Sequence, residues 1–353
     1  MPRKKRKKKK DKVFIISVVI FIILVICIGI YYLFFNGNKS VVKKIEVKKK
    51  IKIVDEDSNE RPLAVMIDNN VGYDTHAGLQ DSYINYEIIV EGGYTRIMAL
   101  FKDRDVSLIG PVRSSRHYFL DYALESDAIY AHYGWSTFAE NDIKTLGVNN
   151  INGLTADSAY WRDKKIAAPH NVFTSTETLY KYAESKNYDT KTDDWKLLNY
   201  SPDEINFKGP KKDKKTGEVS DDPRIVANSL SLKYSNNQTT SYTYDSENKY
   251  YLRFMDGKQH LDKTTRQQLH YKNIIIEKVE NYDLDSYGRQ DLETVGDGEG
   301  YYITNGYALP ITWQKANRDS KTIYKYLDGS KVVVNDGNTF IQIIPITTTP
   351  EFN

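Results

Sequence analysis

Eight polar residues lie where chains commonly build a cleft. Asp68, Asn69, Glu91, Arg96, Arg113, Arg116, His132 and His170 fall at the ends of expected strands or at an expected helix start, and side chains from such places converge on ligand sites. The densest group is Arg113-Ser-Ser-Arg116-His117. Two guanidinium forks beside backbone N–H groups hold a phosphate or carboxylate well, bidentately when aligned. Cations in a first helical turn run against the macrodipole, which favours acids there. Either an anionic ligand or internal pairing with Asp68, Glu91 or Asp121 accounts for them, since arginine forks serve both ends.

Hydrolysis is the alternative chemistry. Asp68 and Glu91 can form an acid/base pair on a glycosidic bond, or His132, His170 and a carboxylate can hold a metal. Glycoside chemistry needs carboxyl groups about 5–9.5 Å apart, a distance that chain position does not set. No HExxH, phosphate-binding loop, dinucleotide glycine pattern, EF-hand loop or zinc-ribbon spacing occurs. No metal or cofactor is therefore expected, no catalytic residue is assigned, and binding is favoured over catalysis. His132 lies in an alternating strand beside Tyr130 and Tyr133 and reads as a buried structural histidine, whereas His170, between Pro169 and Asn171, sits in a loop, where polar residues more often serve a site. Ser114 and Ser115 lack a nucleophile elbow, and Ser114 reads as a helix cap. Trp161-Arg162-Asp163 reads as an exposed rim, with Trp161 a candidate platform for a sugar; Trp135, Trp195 and Trp313 read mainly as core.

The elements that must position these groups interleave. Residues 63–67 form a short buried strand ended by Asp68, Asn69 and Asn70; residues 84–90 and 95–101 form a hairpin around Gly92-Gly93. A helix is expected from Ser114 to about Glu125, and residues 128–133 form a strand. Thr137/Glu140 and Thr174/Glu177 stand at capping-box spacing before two further helices. Residues 191–222 are charged and poor in aliphatics, a linker or exposed excursion. Beyond them strands predominate, separated by turns at residues 245–249, Asn305-Gly306, Asp328-Gly329 and Asp336-Gly337, with one helix expected over residues 262–269. The expected organisation is an α+β domain over residues 61–190, packed on a β-rich domain over residues 223–346, then a tail, 347–353.

Charge is distributed unevenly. Residues 1–12 carry nine Lys/Arg and one acid, leaving 41 Lys/Arg against 46 Asp/Glu elsewhere, a net charge of −5. A mildly acidic body argues against nucleic acid as a partner, which wants clustered positive charge in the folded domain. The basic run abuts 23 uncharged residues, 13–35, enough to cross a hydrocarbon core of about 30 Å. The positive-inside rule keeps residues 1–12 in the cytoplasm and exports the rest. The long apolar core without a small-x-small cleavage pattern favours a retained signal anchor over a cleaved peptide. Residues 36–60 then read as a juxtamembrane stalk, although alternating Val and Ile there also fit an edge strand. The single cysteine, Cys27, lies inside the apolar stretch, so the exported part needs a core rather than disulfides. Partners are expected in the membrane and among cell-wall polymers or envelope proteins.

Several of these segments resemble the YerB-like cell-envelope proteins of Gram-positive bacteria, described as lipoproteins without assigned biochemistry. The resemblance covers about residues 60–346. It rests on Arg61-Pro-Leu-Ala-Val-Met-Ile-Asp-Asn69, Glu91-Gly-Gly-Tyr-Thr-Arg96, Gly110-Pro-Val-Arg-Ser-Ser-Arg116, Asp127-Ala-Ile-Tyr-Ala-His132 and Ala168-Pro-His-Asn171. Val295-Gly-Asp-Gly298, Ile311-Thr-Trp313 and Asp336-Gly-Asn-Thr-Phe-Ile-Gln342 carry it through the later part. It implies a two-part α+β extracytoplasmic fold and no particular reaction. An apolar anchor stands where the lipoprotein form has its lipidated cysteine.

Overall fold

The computed structural model describes residues 3–36, 49–210 and 222–353. Residues 37–48 of the expected stalk and 211–221 of the expected linker lie outside them, as do the side chains of residues 3–11 in the basic tail.

Helix α1 (Arg3–Asn36) forms one unit by itself. Within its residues 12–34 an 18-residue window reaches a mean hydropathy of 3.5 and is not buried in the protein, a length and composition that suit a membrane crossing.

Residues 49–353 form the other unit. Its spine is an eleven-stranded sheet. The first half of the chain supplies β1 (Leu63–Asp68), β2 (Ile84–Ile89), β3 (Thr95–Phe101), β4 (Ile129–His132) and β5 (Asn150–Asn152). The second half continues the same sheet, because Thr339–Pro345 pairs in parallel with both β2 and Asn273–Val279, and the meander Gly296–Thr304, Tyr307–Lys315 and Ile323–Tyr326 extends it. β2 and β3 form the expected hairpin, with Gly92 and Gly93 at φ 70° and 72°, a backbone region that glycine enters without a Cβ clash.

β1, β2, β3 and Thr339–Pro345 are buried at every position, so both sheet faces are covered. Tyr86 meets Tyr122 of helix α2 (His117–Leu124) at 4.9 Å between ring centroids. On the opposite face, Glu87 and its neighbour Gln342 meet a six-stranded sheet built mainly from Ser229–Lys233, Thr239–Asp245 and Tyr250–Met255.

Several local expectations need correction. Residues 49–60 are not a free stalk: Val54 is buried, and Asp336 accepts the N–H groups of Lys52 and Ile53 at 2.9–3.1 Å. The described residues of the 191–222 segment pack on the body through buried Trp195 and Leu198 and pair Tyr200–Ser201 with Val334–Asn335. The tail at residues 347–353 ends in a strand, Glu351–Phe352, paired with Leu230 and Ser231. No helix forms over residues 262–269. Asp262 Oδ1 captures the N–H groups of Thr264 and Thr265 at 2.8 and 2.9 Å, a side-chain turn that competes with helix. Helix α2 starts at His117, and Ser114 donates to the Tyr133 carbonyl instead of capping it. Helices α3 (Thr137–Thr145) and α4 (Thr176–Ser185) are capped by Ser136 and Ser175, with Thr178 completing the second box. Each cap lies one residue from its expected position.

Candidate functional site

β1 delivers Asp68 to the sheet's end, where its backbone N–H bonds to the Pro111 carbonyl at 2.8 Å. Its carboxylate is almost fully buried yet meets two side chains from the surface: Oδ2 hydrogen-bonds to His170 Nδ1 at 2.6 Å and lies 3.0 Å from Arg113 Nε, an ion-pair contact without hydrogen-bond alignment. The remaining oxygen accepts the Asn70 N–H at 3.1 Å. As the carboxylate accepts, His170 donates from Nδ1, which leaves Nε2 as its open nitrogen. Arg113 is a quarter exposed, and its terminal guanidinium nitrogens meet no protein acceptor among the described residues. A buried anion thus holds two cation-capable groups side by side with their outer edges open.

The rim is continuous. The Val112 N–H bonds to the Val172 carbonyl at 2.7 Å, and the Tyr133 N–H to the Arg113 carbonyl at 2.9 Å. Arg162 donates to Asn171 Oδ1 at 2.7 Å and lies over the Tyr133 ring at 5.0 Å. Trp161 and Arg162 form the short strand β6 (Trp161–Arg162), paired with β7 (Val172–Phe173) directly after the His170 loop. Asp68, Arg113, Trp161, Arg162, His170 and Asn171 therefore belong to one neighbourhood.

The other candidates do not join it as ligand groups. Arg116 grips Glu91 through two parallel bonds of 2.6 and 2.7 Å. Burial raises the Glu91 carboxyl, and the Arg116 hydrogen bond and charge outweigh this to hold it below the ordinary range. Arg96 donates to the Ser114 carbonyl at 2.6 Å, and its own pKa is pulled to about 10 by burial and then by the Arg116 charge. These two arginines brace the 113–116 loop. The expected double-arginine fork at the first helical turn is thus corrected: Arg113 lies four residues ahead of the helix start at His117, and Arg116 is internally paired. His132 is buried between the Gly134 carbonyl and Asn150, and burial lowers it to about 4. Asn69 points inward to Glu87 and Thr95 at 3.0 and 2.6 Å. Among the described residues, no three His, Cys, Asp or Glu side chains cluster as a metal set would.

A buried polar chain behind Asp68 was not anticipated from the sequence. The Asp68 carbonyl accepts His76 Nε2 at 2.6 Å, and His76 Nδ1 meets His260 Nε2 at 2.8 Å. A carbonyl only accepts, so His76 carries its proton on Nε2, His260 donates from Nε2, and His260 Nδ1 receives Arg253 Nη1. Burial lowers His76 to about 4 and His260 well below its ordinary value, which keeps both neutral. The chain ends at Glu87, 2.8 Å from Arg253 Nη2, with both side chains fully buried. Its signal in the sequence was a single charge inside each of two apolar runs, Ile-Asn-Tyr-Glu87-Ile-Ile and Tyr-Leu-Arg253-Phe-Met. A charge buried there requires a partner.

Comparison with known proteins follows these segments. Residues 50–189 match the family described as "Protein of unknown function (DUF3048) N-terminal domain", and residues 230–341 match the corresponding C-terminal domain. The "Putative lipoprotein YerB" of Bacillus subtilis is 29% identical over 292 residues, 82% of either chain. The crystal structure of the Bacillus subtilis YerB protein superposes with a TM-score of 0.71 at 26% identity, covering 86% of this chain and 97% of that one. A lipoprotein relative and an N-terminal apolar helix both fit association with a membrane. Matched in both of its domains and over most of its length, the chain belongs to the YerB-like DUF3048 family.

Proposed function

We propose that the chain is a single-pass envelope protein, held with its basic end in the cytoplasm, whose exported body binds an anionic envelope component at Asp68, Arg113 and His170. The observation that carries this reading is the buried Asp68 carboxylate, which orients His170 by a 2.6 Å hydrogen bond and pairs by charge with Arg113 Nε at 3.0 Å while their outer nitrogens stay open. Arg162 adds a third cation-capable group on the same rim. Fixed guanidinium donors and an imidazole edge suit the oxygens of a phosphate or carboxylate.

The test is co-sedimentation of the protein with isolated cell wall. Arg113→Glu is expected to weaken binding by roughly 10–100-fold, the range of hydrogen bonds to charged groups at ~1.5–3 kcal/mol, with an unchanged circular dichroism spectrum. Arg116→Glu, in contrast, should damage the fold by removing both bonds that Glu91 receives and setting a carboxylate against it, whereas a glutamate at the quarter-exposed position 113 can turn to solvent while Asp68 keeps His170. Unchanged binding by a folded Arg113→Glu variant rejects the site.

A hydrolytic reading keeps one foothold: an imidazole oriented through Nδ1 by a buried carboxylate is the arrangement of a general base. On that reading His170 activates water, Asp68 positions it, and Glu91 takes no part. Release of wall fragments by the parent but not by His170→Ala, with divalent metals supplied, would favour it.

A further inference from the structure

Beside the anion site lies an open hollow of about 200 Å³, walled by Tyr133, Asp157, Tyr160, Trp161 and Arg162 over Gly153. Three aromatic residues, one planar cation and one carboxylate thus line one small space. Tyr160 is fixed by its hydroxyl, which donates to the Ile151 carbonyl at 2.7 Å, and it meets Tyr133 edge-on at 5.8 Å. Tyr133 is clamped flat: a Cβ added at Gly153 would stand 2.1 Å from its ring, and Arg162 covers it at 5.0 Å. Only glycine at position 153 leaves room for that ring. Trp161, by contrast, is 39% exposed, a large aromatic left at the rim of the hollow.

The geometry points to a sugar subsite: we infer that the hollow seats a pyranose ring whose phosphate or carboxylate reaches Arg113 and His170. A pyranose offers a C–H face that packs on an aromatic side chain and a ring of hydroxyls that bond to planar polar groups. Trp161 supplies the first, Arg162 and Asp157 the second. The two sites share a wall, because the Arg113 carbonyl holds the Tyr133 N–H, and Arg162 is tied to Asn171, next to His170. This inference rests on the anion reading above and narrows its ligand from any anion to an anionic sugar.

The test uses the full chain in detergent micelles, titrated by calorimetry with inorganic phosphate, N-acetylglucosamine, N-acetylglucosamine 6-phosphate and glucuronic acid. The parent is expected to bind at least one of the two anionic sugars about 10-fold or more tighter than phosphate or the neutral sugar, the effect of one well-placed aromatic contact added to the charge. Trp161→Ala should remove that advantage while leaving phosphate binding intact, and Trp161→Phe should restore most of it. Arg113→Glu should abolish binding of every anion. If Trp161→Ala binds the anionic sugars as the parent does while Arg113→Glu does not, the hollow is not a sugar subsite and the anion site stands. If Arg113→Glu also binds like the parent, or the parent binds none of the four, both readings fall.

Discussion

Replacing Arg253 with methionine is expected to destabilise the folded body by about 3–5 kcal/mol, the range for stripping one partner from a buried ion pair. Arg253 and Glu87 are both fully buried and 2.8 Å apart. Glu87 also accepts from Asn69, Thr95 and Thr240, at 3.0, 2.8 and 2.9 Å. Those neutral donors soften but do not cancel an uncompensated charge, and His260 loses the donor that satisfies its Nδ1. The double variant Arg253→Met, Glu87→Gln should regain most of the loss, because replacing both charges removes the penalty that replacing one creates. Glu87 lies in the segment matching the family's N-terminal domain and Arg253 in that matching its C-terminal domain. The pair therefore fastens the two halves across the sheet face, and the parent should unfold in one urea transition by tryptophan fluorescence. A cost below about 1 kcal/mol for Arg253→Met would show that the pair is not what joins them.

What was legible in the sequence follows from which interactions are local. The β2–β3 hairpin was readable because a glycine pair stands between β-branched runs, and the buried His132 because it lies in an alternating strand beside tyrosines. The helix caps were displaced by one residue because Ser136 and Ser175 adjoin equally suitable threonines, and only backbone geometry chooses between them. Arg113 and Arg116 have identical side chains three residues apart. Their different fates depend on Asp68 and Glu91, 45 and 25 residues upstream, and on strand register, which no local pattern encodes. The parallel pairing of Thr339–Pro345 with β2 is likewise invisible: it joins segments some 250 residues apart, and it is what makes one sheet out of two expected domains. His76 and His260 carried no signal individually, since each becomes informative only once the other stands beside it.

The second large effect concerns pH. Glu277 is fully buried, and burial, with the nearby Glu125 charge adding, pushes its carboxyl up to about 7 from 4.5, against the opposing hydrogen bonds of Tyr324 and Tyr122 and the charge of Lys315. Between pH 4.5 and 7 the folded state keeps a proton that the unfolded chain has released. Its contribution to stability is therefore complete below about 4.5 and is lost as pH rises through 7. At about 1.4 kcal/mol per pKa unit, the loss is of the order of 3 kcal/mol. His76 and His132, both lowered to about 4, act in the opposite sense: their contribution is present above 6.5 and is lost as pH falls towards 4. The two windows overlap, so the parent's own pH profile mixes the effects. Glu277→Gln separates them, because the amide does not titrate and still offers Tyr122 and Tyr324 an acceptor. The stability of the variant relative to the parent should rise by about 3 kcal/mol between pH 4.5 and pH 8 in paired urea titrations, with the histidine contributions cancelling in the difference. A difference that stays flat across that range would mean that Glu277 is ionised in the fold throughout, with Lys315, already 2.7 Å from Glu125, compensating both carboxylates.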